Sequence, residues 1–156
     1  MRKDGTGGVK RTVRKYLTPD EARRVIDAAG KSGRYQERDR LLLLLLLYRH
    51  GLRVSEAVAL QWHQFDLDAP RDRTLMVHRA KGSRSGAHPV RKDEAAALKK
   101  HREASEGSYV FVSERGGPMT VDAVQWVAER AGKAAGLPFK VHPHMLRHAC
   151  GFYLAN

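Results

Sequence analysis

The stretch QERDRLLLLLLLYRH, from Gln36 to His50, is apolar on nearly every helical face between Leu41 and Tyr48. A helix that is apolar all round is buried, so this segment is predicted to be the central core helix. Charged residues bound the leucine run at both ends, and the run is far shorter than the roughly 20 residues that a membrane span needs. The stretch therefore predicts a buried core helix and no membrane association.

Helical signals flank this segment on both sides. Thr18, Pro19 and Glu21 form the pattern of a capping box ahead of a helix over about 19–29, which Gly30 ends. Apolar spacing and capping residues predict further helices in VSEAVALQWHQFD (54–66), near 93–102, over 121–135 and over 144–154. The aromatic residues Trp62, Phe65 and Trp126 are expected in the core.

Extended segments separate the helices in the middle of the chain. TLMVHRA and GAHPVR, joined by KGSRSG, are typical of a β-hairpin over 74–91, and YVFVS (109–113) is typical of a short strand. The predicted fold class is therefore mainly α with a small antiparallel β-hairpin or sheet, an α+β fold.

The chain of 156 residues is strongly basic. Its 29 Lys and Arg against 17 Asp and Glu give a formal net charge of +12, which favours a polyanionic partner, most often nucleic acid. An inert basic surface is the alternative. A single cysteine, Cys150, excludes a disulfide framework, so a cytoplasmic location is expected. Residues 1–15 are basic without a following apolar segment, which predicts a flexible arm rather than a signal peptide.

Two motifs carry a family resemblance. HGLRVSEAVALQW, around Arg53, and HPHMLRHACGF, around His144 and Arg147, occur in this order with a basic hairpin between them. The combination resembles the catalytic domain of the tyrosine recombinases, or phage integrases, and is most similar to the short recombinases that invert fimbrial promoter switches. The resemblance covers residues 16–156. It implies site-specific DNA recombination or integration, in which strands are cleaved and rejoined through a phosphotyrosine intermediate.

The resemblance implies a role for each residue of the motifs. The two guanidinium groups would bind the oxygens of one phosphate, His144 would transfer or share a proton, and Lys81 would protonate the departing 5′ oxygen. His148 is also interpreted as a packed residue behind the site. The implied catalytic residues are Arg53, Lys81, His144 and Arg147, and the implied DNA contacts are Arg79, Arg84 and His148.

Simpler interpretations of the same residues stay open. Arg53 could pair only with Glu56, and His144 and Arg147 could form a solvated helix face. His142, His144 and His148 have a spacing that would suit zinc, as in a metal-dependent or RNA-binding protein, but no carboxylate completes the set. Because a covalent phosphotyrosine stores the bond energy, neither a metal nor any other cofactor is expected.

The end of the chain bears on the predicted activity. The resemblance implies a nucleophilic tyrosine well beyond the H-x-L-R-H segment, so 16–156 is expected to be a catalytic domain incomplete at its C-terminus, without the final nucleophile-bearing helices. No resident tyrosine is assigned as nucleophile: Tyr16, Tyr35, Tyr48, Tyr109 or Tyr153. Whether the chain is an enzyme by itself is left open.

Two functional hypotheses follow from this ending. In the first, the chain supplies the phosphate-binding half of a recombinase site and lacks the nucleophile, and whether a partner supplies the nucleophile in trans is left open. In the second, it is a non-catalytic duplex DNA-binding module that modulates an intact recombinase. Both predict double-stranded DNA as the partner, and both allow a homo-oligomer or a complex with an intact recombinase.

Overall fold

A computed structural model describes residues 16–78 and 86–155, with the backbone alone at residues 46 and 151–155. The chain forms a mainly helical domain with a small antiparallel sheet, which confirms the predicted fold class. The α-helices in chain order are α1 (Pro19–Ala29), α2 (Gln36–Leu41), α3 (Val54–Val58), α4 (Lys92–Glu103), α5 (Val121–Ala134) and α6 (Pro143–Ala155). The predicted arm, 1–15, lies outside the described residues.

The leucine run lies at the centre of the core, as predicted. Leu41, Leu42, Leu43, Leu45 and Leu47 are all buried. The prediction of one continuous α-helix is wrong in its second half, because α2 continues into a π-helix over Leu42–Arg49, where the amide of His50 bonds the Leu45 carbonyl at 2.9 Å. Leucine has a high α-helical propensity, so the local sequence does not predict this wider hydrogen bonding. Across 16–78 and 86–155, no helix is long and apolar enough to span a membrane.

The helix ends follow local capping chemistry. In α1 the Thr18 hydroxyl accepts a hydrogen bond from the amide of Glu21 at 3.1 Å, and the Glu21 carboxylate accepts one from the amide of Thr18 at 3.0 Å, which confirms the predicted capping box. Thr120 likewise caps α5 by accepting from the amide of Ala123 at 3.0 Å. These caps fix the starts of two helices that pack against each other.

The predicted hairpin forms two strands of a three-stranded sheet in the order β1 (Phe65–Asp66), β2 (Thr74–Val77) and β3 (Gly86–Pro89). Thr74 pairs with Pro89 and Val77 with Gly86. Leu75 and Val77 are buried while Met76 is exposed, as period-two alternation requires. The hairpin connection, 79–85, lies outside the described residues.

Three sequence predictions of local structure need correction. The third helix ends at Val58, and its expected continuation is a short 3₁₀ turn (Trp62–Gln64) leading into β1. The predicted strand over 109–113 makes only isolated bridges at Tyr109 and Val112, because its partners, Gln61 and Pro118, lie in irregular segments. Trp126 is not in the core: it is 71% exposed on the outer face of α5.

A buried carboxylate joins α2 to α5. Asp39 is fully buried, and its two oxygens bind different arginines: Arg38 Nη2 lies 2.8 Å from Oδ1, and Arg130 Nη2 lies 2.7 Å from Oδ2. A buried charge needs such partners, since its hydration is lost on folding. This ion pair spans 91 residues of sequence and ties the central helix to the C-terminal half of the domain.

Candidate phosphate-binding site

The last described helix, α6, docks on the turn that follows the π-helix. The Nε of Arg147 donates a 2.8 Å hydrogen bond to the carbonyl oxygen of Gly51. One turn further along α6, the Sγ of Cys150 donates to the carbonyl oxygen of Arg49 at 3.5 Å. Residues three apart share one helix face, so these two side chains fasten the same face of α6 to the segment 49–51.

Gly51 is required by this docking for two reasons. Its φ of +65° lies in the left-handed region, which a side chain disfavours. A Cβ at this position would also lie 3.0 Å from the Sγ of Cys150. The glycine of the HGLR motif therefore lets the turn approach α6 closely.

Arg53, two residues after Gly51, is the N-cap residue of α3. The carboxylate of Glu56 accepts a 2.8 Å hydrogen bond from the backbone amide of Arg53, which holds the first turn of the helix. The guanidinium group lies farther away, with Nη1 at 3.9 Å from Oε2, and the Arg53 side chain is 46% exposed. The pairing with Glu56 is therefore present but loose at the guanidinium, so it does not bury the charge of Arg53.

The histidines of α6 lie on or near its first turns. His144 is exposed, and its ring stacks on that of His142 with centroids 5.8 Å apart and planes inclined by 13°. His148 is exposed as well, so its interpretation as a packed residue is wrong. In the part of the chain that the structure describes, no three His, Cys, Asp or Glu groups come together in a way that could hold a metal ion.

Sequence reasoning missed an ionic cluster beside the turn. Glu94, at the start of α4, is 3% exposed, and its carboxylate lies 3.1 Å from Arg49 Nη1 and 3.2 Å from His50 Nε2. Burial alone would raise the pKa of Glu94, but the hydrogen bond and charge of His50, together with hydrogen bonds from Arg49 and the Arg91 amide, outweigh it and lower that pKa below its usual 4.5. The signal was the spacing of Glu94 and Leu98, which places an acid on the apolar face of α4.

The basic residues predicted on the hairpin cannot be compared with the structure in the same way. Arg79, Lys81 and Arg84 lie outside the described residues, so their predicted roles stay predictions. The strand that leaves the hairpin does reach the cluster: the ring of His88, on β3, lies 5.6 Å from that of His50. The strand after the predicted lysine thus ends beside the turn that receives Arg147.

Comparison with known proteins gives a consistent result. The family model of the phage integrase family matches residues 15–156. The type 1 fimbriae regulatory protein FimB of Escherichia coli K12 is 36% identical over 149 residues, which cover 92% of this chain and 72% of FimB.

Two solved structures resemble the fold. XerA recombinase has a TM-score of 0.73 at 26% identity over 92% of this chain, and lambda integrase bound to DNA has a TM-score of 0.69 at 25% identity over 93%. This chain covers 52% of each of those two chains. The motifs, the fold and these matches agree, and the chain belongs to the phage integrase family, the site-specific tyrosine recombinases.

Proposed function

We propose that this chain binds duplex DNA and holds one phosphate between Arg53, His144 and Arg147, as the phosphate-binding half of a recombinase site. That site cleaves and rejoins DNA strands through a phosphotyrosine. The supporting observation is the 2.8 Å hydrogen bond from Arg147 to Gly51, which brings α6 to the turn that leads into Arg53.

The hydrogen bond leaves Arg147 well suited to bind an anion. Its Nε is used on the Gly51 carbonyl, so the guanidinium plane is fixed while both Nη groups can donate to phosphate oxygens. Within 16–78 and 86–155, no carboxylate forms an ion pair with Arg147, so its positive charge is not neutralised. A guanidinium held in this way costs little reorganisation when it meets an anion.

The reaction needs these charges at one point. Attack on a phosphodiester raises the negative charge on the non-bridging oxygens, and two guanidinium groups stabilise that charge without a metal. His144 shares a helix face with Arg147, three residues away, and an imidazole is a group that can donate or accept a proton. Lys81 is proposed to protonate the departing 5′ oxygen.

The proposal assigns no nucleophile among four tyrosines. Tyr35 lies under the guanidinium of Arg38, whose central carbon is 4.4 Å from the ring centroid, and Tyr48 lines a concavity beside Arg23. Tyr109 lies in a backbone bridge to Gln61, and Tyr16 lies ahead of α1.

Charge supports DNA as the partner. The net charge of +12 favours a polyanion, and the related lambda integrase has been solved bound to DNA. Phosphate contacts give affinity without sequence preference, whereas cleavage needs one phosphate at a defined place. The test must therefore separate one phosphate from the rest of the duplex.

A neutral-phosphate scan makes this separation. Duplexes retained by the wild-type chain are selected from a random pool, and each phosphate of a selected duplex is replaced in turn by an uncharged methylphosphonate. One position should weaken wild-type binding by about 10-fold, the scale of a lost charge-assisted contact. We call this factor the neutral-phosphate penalty. In Arg53→Ala or Arg147→Ala the penalty should vanish at that position. The effects of the same replacement at the other phosphates should stay as they are in wild type.

Arg34→Ala is the matched control, because it removes the same charge from an exposed arginine that pairs with Glu114 at 3.2 Å. It should leave the penalty unchanged. If Arg53→Ala weakens binding equally at every position, the placement of Arg53 at one phosphate is wrong. If neither arginine affects any single position, the second hypothesis, a DNA-binding module without a phosphate site, is favoured.

A further inference from the structure

A buried carboxylate outside the predicted site holds the turn on which α6 docks. Glu94 uses its two oxygens in different directions, Oε2 toward Arg49 at 3.1 Å and Oε1 toward His50 at 3.2 Å. Its side chain is 2% exposed, and those of Arg49 and His50 are 19% and 10% exposed. The cluster is therefore almost closed to water, which strengthens and directs its hydrogen bonds.

The two residues that Glu94 binds belong to the docking turn itself. The carbonyl of Arg49 accepts from Cys150, and the carbonyl of Gly51, directly after His50, accepts from Arg147. The side chains of Arg49 and His50 thus bind Glu94 on α4, while the backbone carbonyls of Arg49 and Gly51 accept hydrogen bonds from α6. Fixing the side chains of Arg49 and His50 therefore fixes the direction of the Gly51 carbonyl.

The carboxylate also connects this turn to the hairpin. The ring of His88, on β3, lies 5.6 Å from the ring of His50, and β3 is paired with β2 from Gly86 to Pro89. Glu94 on α4 thus contacts the end of the π-helix, which in turn contacts the strand that leaves the hairpin.

Glu94 carries its charge under ordinary conditions. Although burial opposes ionisation, the partners His50 and Arg49 lower the pKa of the carboxyl group below 4.5. An ionised carboxylate makes shorter and more strongly directed hydrogen bonds than a neutral group of the same shape.

We propose that Glu94 is a positioning residue for the phosphate site: by binding Arg49 and His50 it orients the Gly51 carbonyl, and through that carbonyl the guanidinium of Arg147. The inference rests on the proposed function of Arg147 and goes beyond it, because it assigns a role to a buried residue that binds the docking turn and is not among the proposed phosphate ligands. Residues that orient a directly binding group change its effectiveness without contacting the ligand.

The test compares Glu94→Gln with Asp93→Asn. Both replace an acid by its amide and both acids contact Arg49, but Asp93 is 59% exposed and lies 3.4 Å from Arg49 Nη1. The first readout is the solvent-exchange rate of the Arg147 Nε proton by NMR, which reports the hydrogen bond to Gly51 directly. The second is the neutral-phosphate penalty. Both are measured at a temperature at which circular dichroism shows each variant folded.

We expect Glu94→Gln to speed exchange of the Arg147 Nε proton by about 10-fold and to reduce the neutral-phosphate penalty several-fold, while bulk duplex affinity stays within about two-fold. Asp93→Asn should change each readout by less than about two-fold. A merely structural role for Glu94 would lower thermal stability and leave both readouts unchanged in the folded protein. That result would overturn the proposal.

A second variant covers the case in which Glu94→Gln does not fold. His50→Phe keeps a ring but removes the Nε2 group that binds Glu94, and it leaves the ion pair of Glu94 with Arg49 in place. It should shift both readouts in the same direction by a smaller factor. An unchanged Nε exchange rate in His50→Phe would then contradict the inference. If wild type itself shows no neutral-phosphate penalty, the proposed function fails, but the exchange rate still decides whether Glu94 positions Arg147.

Discussion

Arg147 and Gly51 are 96 residues apart in sequence, yet the Nε of the arginine donates to the glycine carbonyl at 2.8 Å. This contact joins the two motifs that carry the family resemblance, HGLR and HPHMLRH. It uses Nε, the guanidinium nitrogen within the side chain, and leaves the donors of the two terminal nitrogens for an anion. A lysine has a single flexible ammonium group, so it could not fix one nitrogen on the carbonyl and present two further nitrogens to a phosphate.

Replacement of Arg147 by lysine tests whether one guanidinium group both binds the Gly51 carbonyl and holds the phosphate. Arg147→Lys keeps the charge and loses the Nε donor, so the neutral-phosphate penalty should fall by about 10-fold while bulk duplex affinity changes by less than about two-fold. Fluorescence anisotropy with the selected duplex and its methylphosphonate form measures both. Arg34→Lys is the control, and an Arg147→Lys variant with the wild-type penalty would contradict the role assigned to Nε.

The close approach at Gly51 predicts a graded loss of stability. Gly51→Ala should cost about 1–2 kcal/mol from left-handed backbone strain, plus the cost of the contact with Cys150. Gly107→Ala is matched for strain, since its φ is +89° and a Cβ there meets no atom within 4 Å. Urea denaturation should rank Gly51→Ala as the more destabilising. Adding Cys150→Ala to Gly51→Ala should recover the part of the stability loss that comes from the contact with Sγ. The part that comes from the left-handed backbone of residue 51 should remain.

The buried ion pair at Asp39 predicts a large stability effect remote from the site. Asp39→Asn removes the charge that both Arg38 and Arg130 bind, and the free energy of unfolding should fall by about 2–3 kcal/mol. Glu114→Gln, which breaks an exposed pair with Arg34, should cost less than about 0.5 kcal/mol. Similar losses in the two variants would show that burial of Asp39 does not matter.

The lowered pKa of Glu94 predicts how stability depends on pH. Because the pKa is lower in the folded state than the usual 4.5, the folded protein binds fewer protons there, and the contribution of Glu94 is fully present above that pH. It is lost as the pH falls through the folded-state pKa. The difference in unfolding free energy between wild type and Glu94→Gln should therefore close in acid. A difference that widens as the pH falls below 4.5 would have the wrong sign.

Salt should weaken binding to the selected duplex steeply. Each phosphate contact contributes about −0.9 to the slope of log affinity against log salt, so Arg53→Ala should reduce the magnitude of that slope by about one. Anisotropy titrations at increasing KCl concentrations measure the slope. A variant slope equal to that of wild type would mean that Arg53 does not contact a phosphate.

Much of the fold could be predicted from local sequence. The capping box at Thr18, the cap at Thr120 and the alternation in β2 are properties of a few neighbouring residues, and the structure confirms them. The π-helical half of the leucine run and the exposed Trp126 could not be predicted in this way. A leucine run fits several helical hydrogen-bonding patterns, and apolar character alone does not say which side of a helix the core covers.

The candidate site also combines features that the sequence predicts with features that only the structure shows. The motifs name Arg53, His144 and Arg147 because their chemistry suits a phosphate, whereas the acceptor for Arg147 is a backbone carbonyl that no side-chain pattern reveals. Glu94 was missed because the clustering of α4 with the Arg49–Gly51 turn is a tertiary contact. Sequence thus predicts which groups bind a phosphate, and the structure shows which backbone carbonyl holds Arg147.

The central claim is that the guanidinium groups at positions 53 and 147 bind the same phosphate, and a double-mutant cycle on the neutral-phosphate penalty tests it most directly. If they share one anion, the second of Arg53→Ala and Arg147→Ala should add little to the first, with a coupling of at least about 1 kcal/mol. Losses that instead add to within about 0.5 kcal/mol, or fall on two different phosphates, would mean that the arginines act at separate places.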